Sequence, residues 1–216
     1  MKNMFKGLDK LTKVDFSSDK DAKIISMESA FESTGLKNFN FAKSFDTSQM
    51  ASMKKAFAFS KSLSEINFDN MNLSSVKDMS NIFQDTGLTK FKLRKLELNS
   101  VENMSSMFHG CSKLKEVVMP EFDSNGFTDM SYMFADDEIL EFVDLSNLKT
   151  NKVTNMKGLF KGCINLESIN LGGSFDTSQV TDMEEMFHQC SNLKSLDVSN
   201  FNTTNVISFR NFASYC

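Results

Sequence analysis

The chain has 216 residues, a hydrophobic fraction of 40%, a charged fraction of 24% and a formal net charge of −4. These values exclude disorder of the whole chain and argue against a general nucleic-acid binder, which carries a basic face. No apolar run reaches the length of a membrane-spanning helix, and the use of 22 Phe and 15 Met against one Pro and no Trp points to a reused module.

In chain order, the N-terminal residues MKNMFKGLDKLTKVDF contain no apolar stretch followed by a small-residue cleavage site, so no secretory signal is expected there. A pattern Met-x-x-apolar-Phe then recurs at Met1–Phe5, Met27–Phe31, Met53–Phe57, Met79–Phe83, Met104–Phe108, Met130–Phe134, Met156–Phe160 and Met183–Phe187, with a weaker copy beginning at Phe209. Successive copies are offset by 26, 26, 26, 25, 26, 26, 27 and 26 residues. Such a period marks a stacked-repeat architecture.

Within a repeat two periods are expected. Val180, Met183, Met186 and Phe187 form one stripe of a short helix, with Asp176-Thr177-Ser178 before it as a cap. Gly7, Gly110 and Gly162 suit a left-handed stop after it. Leu-x-x-apolar-x-apolar follows, as in Leu140-Val143-Leu145 and Leu193-Leu196-Val198, and its alternation predicts a short strand. Two copies, Leu36-Phe39-Phe41 and Leu88-Phe91-Leu93, arrive one residue early behind a Thr-Gly-Leu turn. Neither a two-turn helix nor a lone strand is stable alone, so successive strands must pair and the apolar rungs must stack. The predicted fold is a right-handed α/β solenoid of about eight 26-residue repeats, with a parallel sheet on one face and short helices on the other. It forms a single array over residues 1–216, expected to be part of a longer protein. Open ends on such an array imply possible end-to-end association.

The candidate chemistry is sparse. Cys111, Cys163, Cys190 and Cys216 lie three residues after the motif's Phe position (Ala213 in the last repeat), where other repeats have Thr34, Ser60, Thr86 or Asp137. Register alone explains this spacing. A buried thiol ladder donating to backbone carbonyls is favoured over a disulfide, and a tetrahedral zinc site is disfavoured by an in-register column. His109 and His188 read as solvated helix-end residues. Asp136-Asp137-Glu138 reads as a solvated loop rather than a calcium site. No catalytic, cofactor-binding or metal-binding set is expected. What remains is the outward sheet face, a column of Asp15, Asn40, Asn67, Lys92, Val118, Asp144, Asn170 and Asp197. On it Lys90, Lys92 and Arg94 concentrate positive charge, while Val118, Pro120 and Phe142 are apolar where polar residues belong. These residues, with Asp144, are the candidate partner-binding face.

The Leu-x-x-Leu-x-Leu strand pattern resembles leucine-rich repeats, and CSNLKSLDVSNFNTTNV with GGSFDTSQVTDMEEMF resembles the 26-residue repeat of bacterial surface proteins, the BspA-like leucine-rich family. The resemblance spans essentially the whole chain. It implies a non-enzymatic adhesion or recognition module, surface-exposed or secreted, whose ligand is a host or matrix protein or glycoprotein. No signal segment or anchor is seen in this chain. A structural spacer and an intracellular scaffold or delivered effector are the alternatives.

Overall fold

A computed structural model describes residues 1–16, 22–41, 45–92, 98–120 and 126–216. Six three-residue strands follow the predicted alternation: β1 (Asn38–Asn40), β2 (Glu65–Asn67), β3 (Lys90–Lys92), β4 (Glu116–Val118), β5 (Phe142–Asp144) and β6 (Ser168–Asn170). The central residue of each points inward and the flanking two outward, as the period-2 pleat requires. All pairings are parallel and in register, so that Phe91, Val117, Val143 and Ile169 lie side by side. The final alternation at Leu196-Asp197-Val198 forms no strand, and Val198 is exposed.

The motif phenylalanines stack as one column. From Phe31 through Phe57, Phe83, Phe108, Phe134 and Phe160 to Phe187, consecutive ring centroids are 5.5, 6.0, 5.7, 5.6, 5.4 and 5.4 Å apart. Their planes stay within 21° of parallel. Met27, Met53, Met79, Met104, Met130, Met156 and Met183 are fully buried in the next column, and Leu63, Leu88, Leu114, Leu140 and Leu166 in another.

The expected helices do not form. No helix occurs among the described residues, and the motif segments are ribbons of turns instead. Two observations explain this. First, the second and sixth residues after each motif start have positive φ: Ser29 and Ser33 (52° and 57°), Tyr132 and Asp136 (55° and 59°), Gly158 and Gly162 (59° and 72°). That geometry is incompatible with a right-handed helix. Second, packed helices need about 8–10 Å between axes, whereas the Phe column repeats every 5.4–6.0 Å. The ribbon fits that spacing because alternate N–H groups donate to the next repeat. Met130, Tyr132, Phe134 and Asp136 donate to the carbonyls of Asn155, Lys157, Leu159 and Lys161 at 2.7–3.0 Å. Four such bonds, at about 1 kcal/mol each, offset two left-handed residues at about 1–2 kcal/mol each, and rung burial adds to the balance.

The apolar stripe read as helical is therefore a buried face with a different backbone beneath it. Nine such turn segments occur among the described residues, starting at Met1 and ending with the one at Phe209, rather than about eight. Gly7, Gly110 and Gly162 do take left-handed φ values, but they terminate no helix. A second ladder runs beside the turns through Ser26, Ser52, Asp78, Asn103, Asp129, Asn155, Asp182 and Ser208. There the side chain accepts the N–H two residues on, as Asp129 Oδ1 does from Ser131 at 2.8 Å, which closes each turn locally.

Candidate functional site: the sheet face

The outward residues of β3–β6 make two rows. One is Lys90, Glu116, Phe142 and Ser168; the other is Lys92, Val118, Asp144 and Asn170. Lys90 and Lys92 are exposed on either side of buried Phe91, while Val118 and Phe142 are half-buried diagonal neighbours. The structure thus brings Lys90, Lys92, Val118, Phe142 and Asp144 onto one face. Pro120 does not belong there: it is buried past the end of β4, where the chain has turned the corner and alternation no longer applies. Arg94 lies outside the described residues.

The face carries two exposed lysines and one fixed carboxylate. Several lysines elsewhere pair with acids one repeat away, as in Lys115–Glu141 (3.2 Å), Lys157–Glu184 (2.9 Å) and Lys194–Glu167 (2.7 Å). No ion pair joins Lys90 or Lys92 to a described residue. Asp144 is held in place: its Oδ1 accepts the Ser146 N–H at 2.9 Å and the Asn170 Nδ2–H at 3.1 Å. Partial burial pushes its carboxyl up, but the hydrogen bonds from Ser146 and Asn170 outweigh this and leave it below the usual range.

A gap interrupts the face. β1 and β2 form one two-stranded sheet and β3–β6 a separate one. No Cα of β2 lies within 8 Å of a Cα of β3, against about 4.8 Å between paired strands. The cleft between them, about 430 Å³, is lined by Asn38, Asn40, Glu65, Asn67, Lys90 and Lys92 over Ile66 and Phe91. The gap follows the shortened Thr86-Gly87-Leu88 turn. At Gly87 the chain is so close to the preceding repeat that a Cβ would sit 2.3 Å from the Lys61 carbonyl oxygen. From that point the two strands diverge. The early arrival of Leu88 was visible in the sequence, but its effect on pairing was not.

The thiols behave as a ladder. Cys111, Cys163 and Cys190 are buried and free, and Cys216 is free and exposed. Their Sγ atoms donate to the carbonyls of Phe83, Phe134, Phe160 and Phe187 at 2.9–3.1 Å, as Ser60 Oγ does to Phe31 at 2.8 Å. Burial raises the thiols of Cys111 and Cys163, and that of Cys190 to about 12. Asp137 is not in a solvated loop. It is fully buried in this same column, accepts the Cys111 N–H at 2.6 Å through Oδ1, and leaves Oδ2 without a partner. Burial pushes its carboxyl well above the ordinary range. With no helices, the histidines cap none: His188 Nδ1 meets Ser214 Oγ at 2.6 Å, and His109 Nδ1 is 3.8 Å from Asp136. Among the described residues no cluster of three or more His, Cys, Asp or Glu could hold a metal. No described helix is long and apolar enough to cross a membrane.

Comparison with known proteins adds the family. No curated protein matches the chain. The crystal structure of the T. pallidum leucine-rich repeat protein, TpLRR, is similar at 18% identity and a TM-score of 0.49, covering 85% of this chain and 75% of that one. The family model described as "Mycoplasma protein of unknown function, DUF285" matches residues 1–122, 85–171 and 128–215. These matches run along nearly the whole array and agree with the BspA-like repeat pattern in the residues, so the chain belongs to this family of repeat proteins.

Proposed function

We propose that the array is a non-enzymatic protein-recognition module, carried by a microbial surface protein and binding a protein or glycoprotein through the face of β3–β6. The observation that carries this reading is the juxtaposition of Lys90 and Lys92, exposed and without an ion-pair partner among the described residues, with half-buried Val118 and Phe142. Cations beside apolar side chains on a rigid sheet suit a partner that brings acidic groups at the rim and an apolar anchor at the centre.

The test is a Lys92→Ala/Phe142→Ala double variant, measured for capture of an immobilised panel of soluble extracellular-matrix glycoproteins. Capture falls about tenfold or more with an unchanged melting temperature. Equal capture and equal melting would remove the face from consideration.

An intracellular scaffold is the second reading, favoured by the four free thiols, since exported proteins tend to carry oxidised ones. Thiol counting on protein from its native source separates the two.

A further inference from the structure

We infer that the gap between β2 and β3 receives one extended peptide strand of a partner, which completes the sheet by pairing with both edges. This rests on the reading of the sheet face as a recognition surface and names the chemistry of the partner at one place on it.

The spacing is the first argument. One inserted strand needs two pairing distances, about 9.6 Å, and the Cα atoms of β2 and β3 are more than 8 Å apart. Directly paired strands leave no such room. The second argument is the backbone. Ser64 N–H donates back to Lys37, and Lys115 N–H donates back to Thr89, but no backbone hydrogen bond crosses from residues 64–67 to residues 89–92. Among the described residues, therefore, the two strand edges face one another with no backbone hydrogen bond between them. Such edges template the addition of a strand.

Burial supplies the third. The inward central residues of β1, β3, β4 and β5 are buried, whereas Ile66 of β2 and Ile169 of β6 are only partly so. Ile169 borders the end of the four-stranded sheet; Ile66 borders the gap and is the more exposed of its two apolar walls, Phe91 being buried.

The walls specify the occupant. Its inward residue would lie between Ile66 and Phe91 and must be apolar. One outward residue would lie between Glu65 and Lys90 and is best polar and neutral. The other would lie between Asn67 and Lys92 and is best acidic. The partner segment is thus polar-apolar-acidic over three residues, held mainly by main-chain bonds. This chain's own Ser195-Leu196-Asp197 has that pattern and supplies a probe.

The experiment uses the full chain and the blocked heptapeptide Leu-Lys-Ser-Leu-Asp-Val-Ser, the sequence of residues 193–199, with hydrogen exchange resolved by residue. In the free protein the β3 amides that face the gap rather than β4 exchange quickly, while those of β4 and β5 are protected. The peptide slows exchange at Lys90–Lys92 at least tenfold. N-methylation of its Ser-Leu-Asp amides abolishes the effect, and Lys92→Glu weakens peptide affinity about tenfold. Any of three results would overturn the inference: β3 already as protected as β4 in the free protein, protection confined to the ends of the array, or equal binding by the N-methylated peptide. An oligosaccharide that protects β3 where the peptide does not would also overturn it. Failure here with capture still lost in the Lys92/Phe142 variant leaves the face reading standing; peptide protection with no protein captured does the reverse.

Discussion

The rings of Phe134 and Phe160 lie 5.4 Å apart and within 4° of parallel, although 26 residues separate them in the chain. Each ring is fully buried and has like neighbours on both sides. Removing one therefore opens a cavity that two rungs share. Phe134→Ala is expected to destabilise by about 3–5 kcal/mol. Phe5 is only partly buried and stacks on Phe31 alone in this column, so Phe5→Ala should have a smaller effect. Denaturant titration of both variants checks this; equal losses would contradict the one-dimensional stack.

Gly87 and Gly126 form a matched pair. A Cβ at Gly87 would press on backbone atoms of Lys61 and Leu63, whereas one at Gly126 meets no described residue within 4 Å. Backbone cannot swing aside as a side chain can. Gly87→Ala is expected to lower stability by about 1–3 kcal/mol, while Gly126→Ala stays within about 0.5 kcal/mol of the parent. Thermal melts of the two variants side by side provide the measurement.

Asp137 makes stability depend on pH. Its folded pKa is raised above the ordinary 3.8 by burial, with Asp136 and Asp85 adding to the shift and the Cys111 N–H opposing it. The folded state therefore holds this proton more tightly than the unfolded state. Its contribution is complete at pH below about 3.9 and is lost as pH rises through the folded pKa. Asp137→Ser restores the small hydroxyl found at Ser60 and removes that titration. The variant should gain stability relative to the parent as pH rises from 5 to 9. A parallel pH profile for both proteins would contradict a buried carboxylic acid at this position.

The thiol ladder predicts graded effects. Cys163→Ser keeps a donor for the Phe134 carbonyl and should alter stability by less than about 1 kcal/mol. Cys163→Ala leaves that buried carbonyl without the bond and should cost about 1–3 kcal/mol. In native protein, alkylation should label exposed Cys216 first and spare Cys111, Cys163 and Cys190 until unfolding. Mass spectrometry after brief treatment reads this directly.

Much of this arrangement could be read from the residues. The Met, Phe and Leu registers located every rung, and the alternation in Phe142-Val143-Asp144 located strands that form as expected. The backbone of the turn segments was not legible. A stripe at Met183, Met186 and Phe187 buries one face of a helix or of a turn ribbon equally well, and the choice is made by inter-repeat spacing, a property no single repeat encodes. Recurrent Gly, Asn and Ser at the left-handed positions, such as Asn3, Ser29, Asn81 and Gly158, were the available signal. Lys90, Lys92, Val118, Phe142 and Asp144 occupy outward strand positions because strand parity holds through β3–β5. Pro120 was misplaced because parity ends where the chain turns inward. Asp137 was assigned to solvent from its acidic neighbours, although its register with Cys111 and Cys163 already marked it as interior.

The most direct test of the stacked turn ribbon is NMR detection of couplings across hydrogen bonds in uniformly labelled protein. The account predicts a coupling from the Phe134 amide nitrogen to the Leu159 carbonyl carbon, and from Tyr132 to Lys157, matching bonds of 3.0 and 2.8 Å. A coupling from Phe134 to the carbonyl of Met130, four residues back in the same segment, would contradict it and restore the helix.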